Sequence, residues 1–317
     1  MKTLEKLNIR DVRHLCKILG TEPKELEAIT DNIEPFYYRK THVKNGKTRE
    51  LATPIGRLRA IVDSLNRLLQ RVELPGYIHG GRRGHSYLTN AAVHQRRPTL
   101  LVLDIANFFP RIPSGRVYGL FTNTLGCAPD VARYLTRLTT LDGHVPQGSP
   151  TSTIVAALIA APLSRRVANL AMNHHARFSQ YVDDLTVSGP AFLERIQPTI
   201  ERVIRQERFL VNRKKTRVLP RRQEQVVTGV RLNDGPDVPR KRRRKLRDAI
   251  NIVEKKLGKG CCVSDSEWRS LEGKAREIRN LNLGCGRFFM RRIGKMRSLS
   301  VGAVVTRNTI AGRKPFP

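Results

Sequence analysis

Two segments of this chain that read as strands run into aspartate. Leu100–Leu103 is a continuous apolar stretch that stops at Asp104. RFSQYVDDLTVSG, residues 177–189, reads as strand, tight turn, strand, with Asp183 and Asp184 at the turn. An Asp-Asp dipeptide by itself is usually a solvated turn. Here both flanks are strand-like and a second strand-end aspartate lies upstream. Like charges buried side by side are costly unless a cation neutralises them. Hard oxygen donors at strand ends suit Mg²⁺, which takes one or two carboxylates together with substrate phosphates. Two such ions about 4 Å apart would activate an attacking 3′-hydroxyl and stabilise a pyrophosphate leaving group.

The charge of the chain agrees with a phosphate-bearing partner. The formal net charge is +32 over 317 residues, with 59 Lys and Arg against 27 Asp and Glu. A surplus of that size predicts nucleic acid or an anionic membrane surface. The longest apolar stretch, Thr153–Leu163, falls short of the roughly 18 residues that span a bilayer, and the charged N-terminus lacks a signal-peptide core. The expectation is a cytoplasmic protein without a membrane partner. Cys16, Cys127, Cys261, Cys262 and Cys285 show no metal-ligand spacing and read as reduced thiols.

The surplus is uneven. Residues 1–36 carry a net −1, residues 37–234 a net +18, and residues 235–317 a net +15 in a much shorter stretch. Helical spacing is read at 3–20, 22–30 and 56–73, with a hairpin around Asn45-Gly46 between them. The least polar helix is expected at 152–172, a short strand at 226–232, and basic helices at 241–256 and 265–280. The tail after Ser298 has little pattern and reads as poorly ordered.

Four boxes in order then resemble reverse transcriptases. Tyr181-Val182-Asp183-Asp184 resembles their YxDD box, and residues 103–109 (LDIANFF) their upstream metal-binding strand. Between them Pro146-Gln147-Gly148-Ser149-Pro150 resembles the PQGxP box, and residues 212–216 (NRKKT) follow at the place of the next motif. Asn90-Ala91-Ala92-Val93-His94 and Val227-Thr228-Gly229 resemble the NAxxH and VTG boxes of the bacterial retron subfamily. The resemblance covers roughly residues 37–290. It implies an α+β right-hand polymerase, with an N-terminal helical segment at 1–36, fingers at 37–99 (interleaving with palm to about 150), palm at 100–234, and a basic helical thumb and tail at 235–317.

By that resemblance Asp104, Asp183 and Asp184 would hold two Mg²⁺ ions, with the backbone carbonyl of Ile105 a further ligand. Asp142 is the rival carboxylate, in a Gly-flanked loop that reads as a turn. Phe109, preferred over Phe108 by spacing alone, would crowd the sugar 2′-position and exclude ribonucleotides. Gln147 would approach the incoming nucleotide, while Gly148 and Pro150 shape the entry of the following helix. Arg49 would clamp the triphosphate with its planar fork of donors, helped by Lys47 or Lys44. Lys215 or Lys214 would serve as general acid to the departing pyrophosphate. Asn90 and His94 would either touch RNA or tie down their own loop. Residues 80–86 (GGRRGHS) suggest a loop that tracks a nucleic-acid backbone. Arg242, Arg243, Arg244 and Lys245 would bind RNA in a salt-dependent way. Trp268 is expected between helices.

The retron resemblance further implies a cognate structured noncoding RNA of the msr-msd type. That RNA would serve as template and, through a guanosine 2′-hydroxyl, as primer for single-stranded msDNA made from dNTPs. An effector protein, host RNase H for template removal, and a role in antiphage defence belong to the same expectation. Two rival readings are another bacterial reverse transcriptase, of group II intron or abortive-infection type, and a noncatalytic RNA-binding protein on a polymerase scaffold. An RNA-dependent RNA polymerase fits less well, because its box carries Gly before the Asp pair.

Overall fold

The structure, a computed structural model, describes residues 6–44 and 47–311, with side chains described throughout except at 44, 47 and 300–311. The chain divides into two units, Met1–Gln223 and Glu224–Pro317.

In the first unit α1 (Val12–Leu19) begins where the Asp11 side chain accepts from His14 N at 2.8 Å, and it ends at Gly20 in the left-handed region. That cap places the helix start well after residue 3, where spacing alone had put it. Pro23 opens α2 (Pro23–Asp31). The hairpin of β1 (Tyr37–Lys44) and β2 (Lys47–Pro54) pairs from Tyr37↔Pro54 to Lys44↔Lys47. The Asn45-Gly46 turn lies outside the described residues. Next come α3 (Gly56–Leu69), α4 (Tyr87–Ala92), β3 (Thr99–Asp104), α5 (Ser114–Gly119) and α6 (Pro129–Thr139). The long helix α7 (Ser152–Asn173) is followed by β4 (Arg177–Tyr181), β5 (Asp184–Gly189), α8 (Gln197–Gln206) and β6 (Arg217–Pro220).

β3 to β6 form one antiparallel sheet in the order β4-β5-β3-β6. Leu100, Leu101 and Leu103 of β3 are completely buried, which is why that strand reads as an apolar run without alternation. Beyond β4 the segment around Ile78 adds a short parallel bridge to Gln180, with His79 N donating to Gln180 O at 2.8 Å. One apolar core runs from Ile9 to Phe209 and takes in α1, α2, α3, α6, α7 and the inner sheet face. Among the described residues α7 is the one helix long and apolar enough to cross a membrane, and two thirds of its most apolar stretch is buried in this core.

The second unit contains β7 (Val226–Val227), β8 (Val230–Arg231), α9 (Arg240–Gly258), α10 (Asp265–Leu281) and α11 (Leu283–Ala311). The single strand expected at 226–232 is a miniature hairpin, because Thr228 and Gly229 both take the left-handed conformation (φ 45° and 80°) that a tight two-residue turn requires. Its two strands pair with each other. The tail expected to lack order after Ser298 is helical to Ala311, a stretch with no proline to stop the helix. Trp268 is buried in α10, as expected.

Candidate active site

The sheet register brings the three aspartates to one place. Asp104, the last residue of β3, is paired directly with Asp184, the first residue of β5. Tyr181↔Asp184 closes the β4–β5 hairpin over a two-residue turn, Val182-Asp183. Ile105 N donates to Asp183 O at 2.9 Å, which fastens the turn to the end of β3. Val182 sits at φ 58°, an unfavourable conformation for a β-branched residue. Gly80 packs against it so closely that a β-carbon there would overlap the Val182 backbone nitrogen. The glycine-rich loop therefore supports the Val182-Asp183 turn, a role that its sequence did not reveal.

The Asp104 side chain is 7% exposed. Its Oδ1 accepts from Asn212 Nδ2 at 3.0 Å, and its Oδ2 is in contact with Lys215 Nζ. Asn212 N also donates to the Asp104 carbonyl at 2.7 Å, so the turn after α8 is tied to the end of β3. Burial pushes the Asp183 carboxyl up, and Asp104 adds to the rise. Asp184 is driven to about 7 by burial first, then by Asp183 and Asp104. Burial and close like charges both disfavour the ionised form, and a cation bound beside them would offset that cost.

These aspartates stand at a cleft of about 960 Å³. Asp104, Ile105 and Asp183 line it together with Arg49, Phe109, Gln147 and Lys215, whereas Asp184 is not among its lining residues. Phe108 is 3% exposed and stacks on Phe209 with ring centroids 5.3 Å apart, which makes it core. Phe109 is only partly buried and reaches the cleft. Lys215 lines the cleft and Lys214 does not. The Lys47 and Lys44 side chains lie outside the described residues. Gln147 is held by its backbone, whose carbonyl accepts from Ala52 N at 2.7 Å. At the next position Gly148 has φ +119°, and a β-carbon would lie 2.9 Å from Ala52 O, so β2 can approach only a glycine there. Asp142 is a turn residue, as expected: it accepts a two-pronged ion pair from Arg39, at 2.7 and 2.9 Å, and that pair holds its carboxyl down.

The donor set fits a divalent cation by chemistry: three carboxylates, two of them raised by burial first and then by their carboxylate neighbours. Among the described residues no three His, Cys, Asp or Glu side chains converge as they stand. Lys215 and Asn212 hold both oxygens of Asp104, so Lys215 would have to turn away for the cluster to close around a cation.

Of the two readings for Asn90 and His94 the burial supports the structural one, and two of the four basic residues 242–245 are engaged inside the second unit. Asn90 and His94 are both completely buried and hydrogen-bonded to β4 and β5, so neither side chain is available to RNA. Within the second unit, Arg242 pairs with Glu277 at 2.9 Å, and Arg243 is in contact with Asp237 and donates to Val238 O at 3.1 Å. Arg243 thus anchors the start of α9, while Arg244 and Lys245 are exposed. Sequence reasoning missed Asn212 and Arg39; Asn212 opens the quoted NRKKT box, while Arg39 carried no signal.

Comparison with known proteins agrees with this geometry. Residues 38–232 match the family described as reverse transcriptase (RNA-dependent DNA polymerase). The Retron Se72 reverse transcriptase of Salmonella heidelberg is 30% identical over 253 residues, which cover 76% of this chain and 67% of that protein. The chain belongs to the retron reverse transcriptases. The Retron Mx65 reverse transcriptase of Myxococcus xanthus is 36% identical over 66% of this chain and 53% of its own length. The Retron Ec86 reverse transcriptase of Escherichia coli is 27% identical over 69% of this chain and 70% of its own length. The α+β architecture is that of a reverse transcriptase domain, and this family of RNA-dependent DNA polymerases works with divalent metal ions.

Proposed function

We propose that the chain copies part of a cognate structured noncoding RNA into single-stranded msDNA, priming from a guanosine 2′-hydroxyl. The observation that carries this reading is the meeting of Asp104, Asp183 and Asp184 at the joined ends of β3, β4 and β5, beside a cleft that Arg49, Phe109, Gln147 and Lys215 line. Residues 37–99 act as fingers, 100–234 as palm and 235–317 as thumb. Asp104, Asp183, Asp184 and the Ile105 carbonyl would hold two Mg²⁺ ions, which when bound lower the barrier to attack and to pyrophosphate departure. Arg49 grips the triphosphate with its fork of donors. Phe109 fills the space a ribose 2′-hydroxyl would need. Lys215, released from Asp104, turns its Nζ proton toward the leaving pyrophosphate. Arg244 and Lys245 neutralise RNA phosphates on the exposed side of α9.

The wider reading is a cytoplasmic enzyme of antiphage defence, with an effector protein as partner and host RNase H removing the copied template. The test is to purify the protein with its nucleic acid, sequence that nucleic acid, and treat it with a 2′–5′ debranching enzyme. A DNA covalently joined to an internal guanosine of one RNA supports the proposal; unbranched or heterogeneous RNA overturns the priming step. Extension by wild type but not by Asp183→Asn with Asp184→Asn supports the catalytic assignment, and equal extension overturns it.

A further inference from the structure

The NAxxH box remains without a role in the chemistry above, and its buried side chains form a chain of hydrogen bonds whose direction can be deduced. Ser179 Oγ, on β4, donates to Asn90 Oδ1 at 2.7 Å. A hydroxyl has one proton, so toward His94 Nε2, also 2.7 Å away, Ser179 Oγ can only accept. His94 therefore carries its proton on Nε2. Its Nδ1 is left bare and accepts from Ser188 Oγ on β5, again at 2.7 Å. The order Ser188→His94→Ser179→Asn90 has one donor and one acceptor at each joint. All four side chains are completely buried.

The two serines lie on the paired strands of the hairpin that presents Asp183 and Asp184. Ser179 is directly opposite Thr186, and Ser188 directly opposite Arg177. The imidazole spans the two strands like a tie bar, two residues before Tyr181 on one side and four residues after Asp184 on the other. We propose that His94, as the Nε2–H tautomer, is a positioning residue that fixes β4 against β5 and thereby sets the placement of the Asp183-Asp184 turn. Burial supports the neutral form by pushing the imidazole down to about 3. The inference deepens the polymerase reading and rests on it for its kinetic consequence.

The experiment compares wild type with His94→Gln, His94→Phe and Ser188→Ala. It measures primer extension, template–primer Kd, and the ¹⁵N shifts of the histidine rings. Glutamine retains one N–H donor and one acceptor and should keep most of the activity. Phenylalanine fills the space without either bond and should lower kcat by about 10- to 100-fold, the cost of a small misplacement at a reacting centre. Template–primer Kd should change by less than about twofold, since a lost transition-state arrangement lowers kcat without removing ground-state binding. In the wild type one buried histidine should show a protonated Nε2 and a bare Nδ1, unchanged between about pH 5 and 8.

A Kd weakened by about tenfold or more at unchanged kcat would make His94 an RNA contact and overturn the proposal. An Nδ1–H tautomer, or a ring that titrates in that range, would overturn it as well. Should His94→Phe fail to fold, Ser188→Ala and the wild-type ring shifts still decide. Should the wild type extend no primer, the polymerase reading fails, whereas the tautomer measurement still tests the hydrogen-bond chain.

Discussion

Lys215 and Asp104 stand 111 residues apart in the chain and touch in the cleft, the ammonium against one oxygen of the carboxylate. A cation is thus present at the acidic cluster before any metal arrives. The same Lys215 side chain is 44% exposed, so it can leave without a large rearrangement.

Lys215→Met should therefore act in two opposite directions. Without its lysine, Asp104 loses a competing cation, and Mn²⁺ should bind the nucleotide-free protein more tightly in a paramagnetic relaxation titration. If Lys215 is the general acid proposed above, primer extension should fall by about 10²-fold. Lys214→Met should change neither, because Lys214 does not reach the cleft.

Phe109→Ala should open space beside the sugar. Incorporation of rNTP relative to dNTP should rise by roughly tenfold or more in single-nucleotide extension. Phe108→Ala removes a core ring packed on Phe209 and should instead cost about 3–5 kcal/mol of stability.

Asp184 yields a pH prediction for the metal-free protein. Its carboxyl titrates at about 7 in the fold against an ordinary value of 3.8. Between those values the folded state holds a proton that the unfolded state has released, so this group lowers stability as pH rises from about 4 to 7. Asp184→Asn removes that loss, and its gain in Tm should be larger at pH 8 than at pH 5. A gain that is equal at both pH values would contradict the assignment.

Gly80→Ala forces a methyl group into the Val182 backbone. Overpacking of this kind costs about 1–3 kcal/mol. Because the displaced atoms belong to the Val182-Asp183 turn, extension should fall even at temperatures where circular dichroism shows the variant folded.

On α9 the exposed and the anchored cations should separate. Arg244→Ala and Lys245→Ala should each reduce the salt dependence of RNA binding by about one counterion. Arg243→Ala removes the contact with Asp237 and the bonds to Val238 O, so its main effect should be a lower Tm.

The strand framework that carries the three aspartates was legible because it is local. The apolar run ending in Asp104 and the strand-like flanks of Asp183-Asp184 specify strands, and the two-residue turn fixes how β4 meets β5. Phe109 was preferred over Phe108 by spacing alone, whereas Lys214 and Lys215 could not be separated, because they differ only in the direction each points, which tertiary packing decides. Asn90 and His94 left two readings open for a related reason, since polar side chains serve a buried network as readily as a ligand. Asp142 was readable as a turn residue from its flanking glycine, while its partner Arg39 was invisible, being 103 residues away.

The order β4-β5-β3-β6 leaves two outer strands, and both are shielded from recruiting a further strand. On the β4 side the short bridge at Ile78 already uses the Gln180 backbone. On the other side β6 is four residues long, begins with Arg217 and ends with Pro220. Short, charged and proline-terminated edges resist edge-to-edge aggregation. A sheet closed in this way cannot be extended by a second copy, and lengthening β6 by replacing Pro220 with valine is the change most apt to make the protein self-associate.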